Sequence, residues 1–162
     1  MFFGMTNAHE RKKQPEVVRR NLLDCAAKLA AEQGVAALSV QAVADAAGVT
    51  KGGLFHHFPS KQVLLEAVMT DLLAALDNEI DALISQDREA SGSFTRAYVN
   101  AVFSDRGRDS GRQWAAISVS MVGEPSLRRM WNSWIEGRLV RHKETDDGVV
   151  LEMVLSLIHI SE

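Results

Sequence analysis

Apolar residues recur every three or four positions along most of this chain, and the recurrence breaks at a few polar or glycine-containing points. That spacing marks one face of an amphipathic helix. Val18, Leu22, Cys25, Leu29 and Ala30 share such a face, predicting a first helix that Pro15 opens and that ends near Gly34. Val40, Val43, Ala44 and Ala47 predict a short second helix, with Ser39 as its N-cap and Gly48 ending it in the left-handed region. Thr50 caps a third short helix, whose buried side is expected to be Leu54, Phe55 and Phe58. Leu64, Leu65, Val68, Leu72, Leu76, Ile80 and Leu83 then predict one long helix from Ser60 to about Ile84.

The second half repeats the pattern at a coarser grain. SQDREASGS (85–93) is a turn-rich connection, DRGRDSG (105–111) a second, and ETDDG (144–148) a third. Between them lie helices expected at 94–104, 112–122 and 126–142, and Val149, Val150, Met153, Val154 and Leu157 start a last one. No alternating run bounded by turn residues predicts a strand. The fold class is therefore all-α. A three-helix N-terminal helix-turn-helix domain is joined by a long shared helix to a helical ligand-binding and dimerisation domain. The expected boundaries are a flexible basic arm over 1–14, the helix-turn-helix domain over 15–60 and the regulatory domain over 61–162.

The stretch SVQAVADAAGVTKGGLFHHFPSK (39–61) carries the most specific signal. Small Ala44 lets two helices approach, Gly48 makes the corner and apolar Leu54 seats the second helix on the first. Over residues 19–68 the chain resembles the DNA-binding domain of TetR-family transcriptional repressors. The positions that carry the resemblance are Ala26, Ala27, Gly34, Ser39, Val43, Ala44, Gly48, Val49, Thr50, Gly52, Leu54, Phe55, His57, Phe58, Ser60, Lys61, Leu64 and Leu65. One departure is Phe55, where the family usually has a tyrosine whose hydroxyl can reach a phosphate. The resemblance implies a repressor that binds a palindromic double-stranded operator as a homodimer and surrounds a small effector with its later helices.

Composition fits this reading. The 162 residues are 46% hydrophobic and 24% charged, ordinary for a globular protein, with only three prolines. No apolar run is long enough for a membrane span, and MFFGM is too short for a signal-peptide core, so a cytoplasmic location is expected. The single cysteine excludes an internal disulfide, and its place in the first helix reads as a small core hydrophobe. The net charge of −3 argues against a nucleic-acid partner until it is divided. Through Lys61 there are eight Lys/Arg against five acids, and beyond it ten against sixteen, so a head of +3 sits on a body of −6.

The third helix would enter the major groove by its N-terminal end. Thr50, Lys51 and His56 are the candidate base readers, and Gly52 and Gly53 let the backbone approach DNA. Ser39 and Lys61, at helix starts, suit phosphates. Phe55 completes the candidate DNA-binding set. Phe94, Tyr98, Phe103, Trp114, Met121, Trp131 and Trp134 are candidates to line a cavity for an apolar or aromatic effector, with few charges nearby. Aromatic residues at helical spacing also simply fill cores, and only the resemblance favours a ligand. His56 and His57 are adjacent and diverge, so no metal is expected, and no cofactor is implied. No P-loop, nucleophile elbow or HExxH occurs, so an enzyme is not expected. The alternative function is a helical small-molecule-binding or interaction protein that keeps the fold without DNA binding. SLIHISE (156–162) resembles a translated sequencing adapter, so the native chain is expected to diverge near Leu155 and this chain to pair poorly.

Overall fold

The computed structural model describes residues 8–103, 123–146, 148, 149 and 153, the side chains of 8–13 and 103 excepted. Among the described residues there are helices and no strand. They are α1 (Ala8–Gln33), α2 (Val40–Ala46), α3 (Lys51–His57), α4 (Lys61–Gln86), α5 (Ser93–Phe103) and α6 (Pro125–His142). The chain divides into two compact units, one through Val68 and one from Met69, so the division falls within α4.

In the first unit the buried set comprises Leu22, Leu23, Ala26, Ala30, Val35, Leu38, Val43, Ala44, Leu54, Phe58, Leu64, Leu65 and Val68. Two expectations need correction here. The stripe of α1 that is buried is turned by one residue, so Cys25 and Leu29 are only half-buried while Leu23 and Ala26 are enclosed. Cys25 instead lies 3.8 Å from Asn21 Oδ1, towards the edge of the helix. The helix also begins at Ala8 with Pro15 inside it, not at Pro15. Proline removes one backbone donor and crowds the preceding turn, at a cost of roughly 3 kcal/mol in a helix interior. The residues before it (AHERKKQ) are mostly good helix formers, which favours continuation through it.

The second unit buries Met69, Leu72, Leu73, Leu76 and Ile80 of α4, Phe94, Ala97 and Tyr98 of α5, and Leu127 and Trp131 of α6. Its polar centre is Asp146, only 4% exposed. This carboxylate accepts from the Phe94 N–H (3.2 Å), the Thr95 N–H (2.8 Å), the Thr95 hydroxyl (2.6 Å) and the Thr145 hydroxyl (3.0 Å). A residue some fifty positions later in the chain thus caps α5, satisfying donors that the first turn leaves free. The Gly92 N–H donates to the Thr145 carbonyl at 2.6 Å, fastening the same corner. Burial pushes the Asp146 pKa up, but the hydrogen bonds from Thr95, Thr145 and Phe94 outweigh it and hold the group below its ordinary value.

The helix expected over 112–122 lies outside the described residues. Of the expected last helix, Gly148, Val149 and Met153 are described; they are helical and exposed.

Candidate functional site

The geometry of the first unit begins at the end of α2. Gly48 has φ +68°, its N–H donates to the Asp45 carbonyl at 3.2 Å, and the Val49 N–H reaches back to the Ala44 carbonyl at 3.0 Å. This pair of bonds is a Schellman motif, which satisfies the last carbonyls of a helix while turning the chain sharply. Thr50 starts the next helix at once, its hydroxyl accepting from the Gly53 N–H at 3.0 Å. Ser39 does the same for α2, accepting from the Ala42 N–H at 3.0 Å, and Ser60 for α4, from the Val63 N–H at 3.2 Å. Each capping hydroxyl keeps its own proton to donate outward. Asn21, which the sequence reading did not single out, donates from Nδ2 to the Ala47 carbonyl at 3.0 Å and ties α1 to the corner.

These fixed ends decide what α3 presents. Leu54 and Phe58 are enclosed, one turn apart on the same face. Phe55, expected on that face, is 38% exposed because it sits about 100° further round. Lys51 and His56 are exposed with it, and His57 is half-buried, its ring edge-on to His56 at 5.5 Å. The Lys51 ammonium lies 5.8 Å from the Phe55 ring centroid, a cation–π distance. At Gly53 a Cβ would come within 3.3 Å of the Thr50 hydroxyl, so glycine keeps the cap undisturbed. At Gly52 it would meet only that hydroxyl, at 3.9 Å. The face of α3 is therefore a bare backbone edge flanked by Lys51, Phe55 and His56. Lys61, half-buried, opens α4 just beyond, and the Arg19 guanidinium lies over the Phe58 ring at 5.0 Å.

In the second unit, Phe94, Tyr98, Trp131 and Trp134 come together. Ring centroids lie 6.1 Å apart for Phe94–Tyr98, 6.3 Å for Tyr98–Trp134 and 5.1 Å for Trp131–Trp134. Phe94 and Tyr98 are wholly enclosed, so this part of the candidate set is packed core. Trp114, Met121 and the Phe103 side chain lie outside the described residues. The expectation of few charges fails at Trp134. Its indole N–H donates to Asp77 at 2.9 Å, Arg138 pairs with the same carboxylate, and that guanidinium lies 5.5 Å from the indole ring. Asp77 lies on α4 and Arg138 on α6, far apart in the chain, and sequence alone gives no sign of their pairing. An open groove of about 620 Å3 runs beside them, with Leu73, Ala74, Met130 and Trp134 as its apolar lining and Asp77 and Arg129 among its charged groups. Among the described residues no three His, Cys, Asp or Glu side chains converge as a metal site, and no helix is long and apolar enough to cross a membrane.

Residues 22–68 match the model of bacterial regulatory proteins of the tetR family, and residues 92–158 match that of the tetracyclin repressor-like C-terminal domain. The chain is 41% identical over 86 residues to the HTH-type transcriptional repressor KstR2 of Rhodococcus jostii, an alignment covering 52% of this chain and 39% of the repressor. It is 33% identical over 118 residues to the HTH-type transcriptional regulator BetI of Ectopseudomonas mendocina, covering 70% of this chain and 60% of BetI. The chain thus spans less than two thirds of either relative. The multidrug binding protein EbrR, in its crystal structure with malachite green, superposes with a TM-score of 0.70 at 23% identity, over 88% of this chain and 83% of EbrR. The capped α2–Gly48–α3 corner and both family matches lead to one conclusion: this chain belongs to the tetR family of bacterial regulatory proteins.

Proposed function

We propose that the chain is a DNA-binding transcriptional regulator, a repressor that leaves its operator when a small molecule binds the second unit. The observation that carries the reading is α3, with its backbone edge bared by Gly52 and Gly53 and with Lys51, Phe55 and His56 turned outward. Thr50, Lys51 and His56 read base edges in the major groove, Phe55 makes apolar contact there, and Ser39 and Lys61 hold phosphates. The working form is a homodimer on a palindromic site, since one short helix reads only a half-site. The regulators among its relatives support a non-enzymatic, cytoplasmic role.

The effector reading rests on the aromatic cluster and the groove beside Trp134, and the dye complex of EbrR is consistent with it. The effector is apolar or aromatic. The test is selection of bound sequences from random duplex DNA. The wild-type chain should enrich a site with two-fold symmetry, and Lys51→Ala should shift the preferred bases within each half. Recovery of unenriched sequence would contradict the proposal.

A further inference from the structure

Leu54 and Phe58 seat α3 on the first unit, while Phe55 is 38% exposed. One turn earlier on the same side of the helix, the Lys51 ammonium lies 5.8 Å from the Phe55 ring centroid. Of the three residues between them, Gly52 and Gly53 have no side chain and Leu54 is buried. The outer surface of this turn is therefore made by one ring and one ammonium. An isolated exposed ring is ordinary on a protein surface. This one stands on the helix assigned to the major groove, beside a cation that it attracts.

Resting on the regulator reading above, we propose that Phe55 is a specificity-determining residue: it selects a thymine by its 5-methyl group and steadies Lys51 on a guanine one or two base pairs away. A phenyl ring has neither donor nor acceptor for a base edge or a phosphate. The feature of the major groove that suits it is the apolar methyl of thymine. An ammonium has three donors and no acceptor, and guanine offers it two acceptors, O6 and N7, on one edge. The ring face draws the ammonium electrostatically, which narrows the conformations open to a flexible four-carbon stem. The exposed part of the ring is left for the methyl. Side chains one turn apart start about 5–6 Å from each other, and base pairs stack about 3.4 Å apart, so the two contacts fall one or two steps apart.

Duplexes selected by the full wild-type chain supply the site, and each half should contain such a thymine and guanine. Replacing the thymine by uracil removes only the methyl and should weaken wild-type binding about fourfold. Replacing the guanine by 7-deazaguanine removes the N7 acceptor and should weaken it about tenfold. Phe55→Ala should bind thymine and uracil sites equally and show a 7-deazaguanine penalty of about twofold or less. Phe55→Tyr, which keeps the ring, should retain both preferences. The uracil arm needs no variant, so it holds even if Phe55→Ala folds poorly. Equal wild-type affinity for thymine and uracil sites would overturn the proposal. So would a thymine preference or a full 7-deazaguanine penalty that survives in Phe55→Ala. Each of these leaves salt-sensitive, sequence-selective DNA binding, and with it the regulator reading, intact. A wild-type chain that enriches no sequence would count against both.

Discussion

Replacing Gly48 with valine should disable the first unit, whereas Gly48→Asn should leave it nearly intact. Gly48 has φ +68°, and a Cβ built there would meet nothing within 4 Å. The penalty is therefore conformational and not a clash with neighbours. A β-branched residue at positive φ is a genuine outlier, while asparagine visits the left-handed region routinely. Strain of this kind costs on the order of 1–3 kcal/mol. The unit ends at Val68, and a domain that small has little stability to spare. The alternative to unfolding is a corner that reopens, which would break the bonds from Gly48 and Val49 to the Asp45 and Ala44 carbonyls and swing α3 off its seat on Leu54 and Phe58. All tryptophans and the only tyrosine lie beyond residue 69, so the first unit is followed by far-ultraviolet circular dichroism and DNA binding, not by intrinsic fluorescence. Native melting and native DNA affinity in Gly48→Val would show that the corner does not need its glycine.

The second large effect is expected at Asp146. Removing the carboxylate strips acceptors from two backbone N–H groups and two hydroxyls around the start of α5. Bonds to a charged group contribute about 1.5–3 kcal/mol each, and the buried Phe94 N–H would be left without its partner. Asp146→Ala should destabilise the second unit by about 3 kcal/mol or more. Asp146→Asn keeps one acceptor but turns an amide N–H towards donors, so its loss should be intermediate. Because Trp131 and Trp134 belong to this unit, their fluorescence in urea reads the change directly. The same group sets an acid limit. Its folded pKa lies below the unfolded value, so its contribution is complete above about pH 4 and disappears as pH falls through the lower folded value. In Asp146→Asn, acid unfolding should lose the part due to this residue. A variant that melts like wild type at neutral pH would show that α5 does not depend on its remote cap.

What the sequence disclosed follows from the range of the forces involved. Ser39, Gly48 and Thr50 act on backbone groups within a few residues, so their roles as caps and corner were readable from spacing. Helical periodicity likewise marked Leu64, Val68, Leu72, Leu76 and Ile80 as buried in α4. The all-α class followed from the same pattern. The pattern erred where a helix face is narrow. On seven-residue α3, a third apolar residue had no room on the buried side, and Phe55 turned outward. Asp146, Asp77 and Arg138 were missed for a different reason. Their partners lie some fifty to sixty positions away, and an acidic loop such as ETDDG looks the same whether it is solvated or caps a distant helix. The aromatic cluster was found as residues, but its full burial at Phe94 and Tyr98 and the ion pair beside Trp134 depend on packing that no periodicity encodes.

Salt titration of binding to duplex DNA tests the central claim most directly, because a basic head on an acidic body should bind through phosphate contacts. Each neutralised phosphate releases condensed counterions, so the logarithm of the binding constant should fall linearly as the logarithm of salt concentration rises. Lys61, at the start of α4, is proposed as one of those contacts. Lys61→Ala should weaken binding about equally on every sequence and reduce the salt slope by about 1. A wild-type chain that binds no duplex even at low salt, or a Lys61→Ala variant with unchanged affinity and slope, would contradict the account.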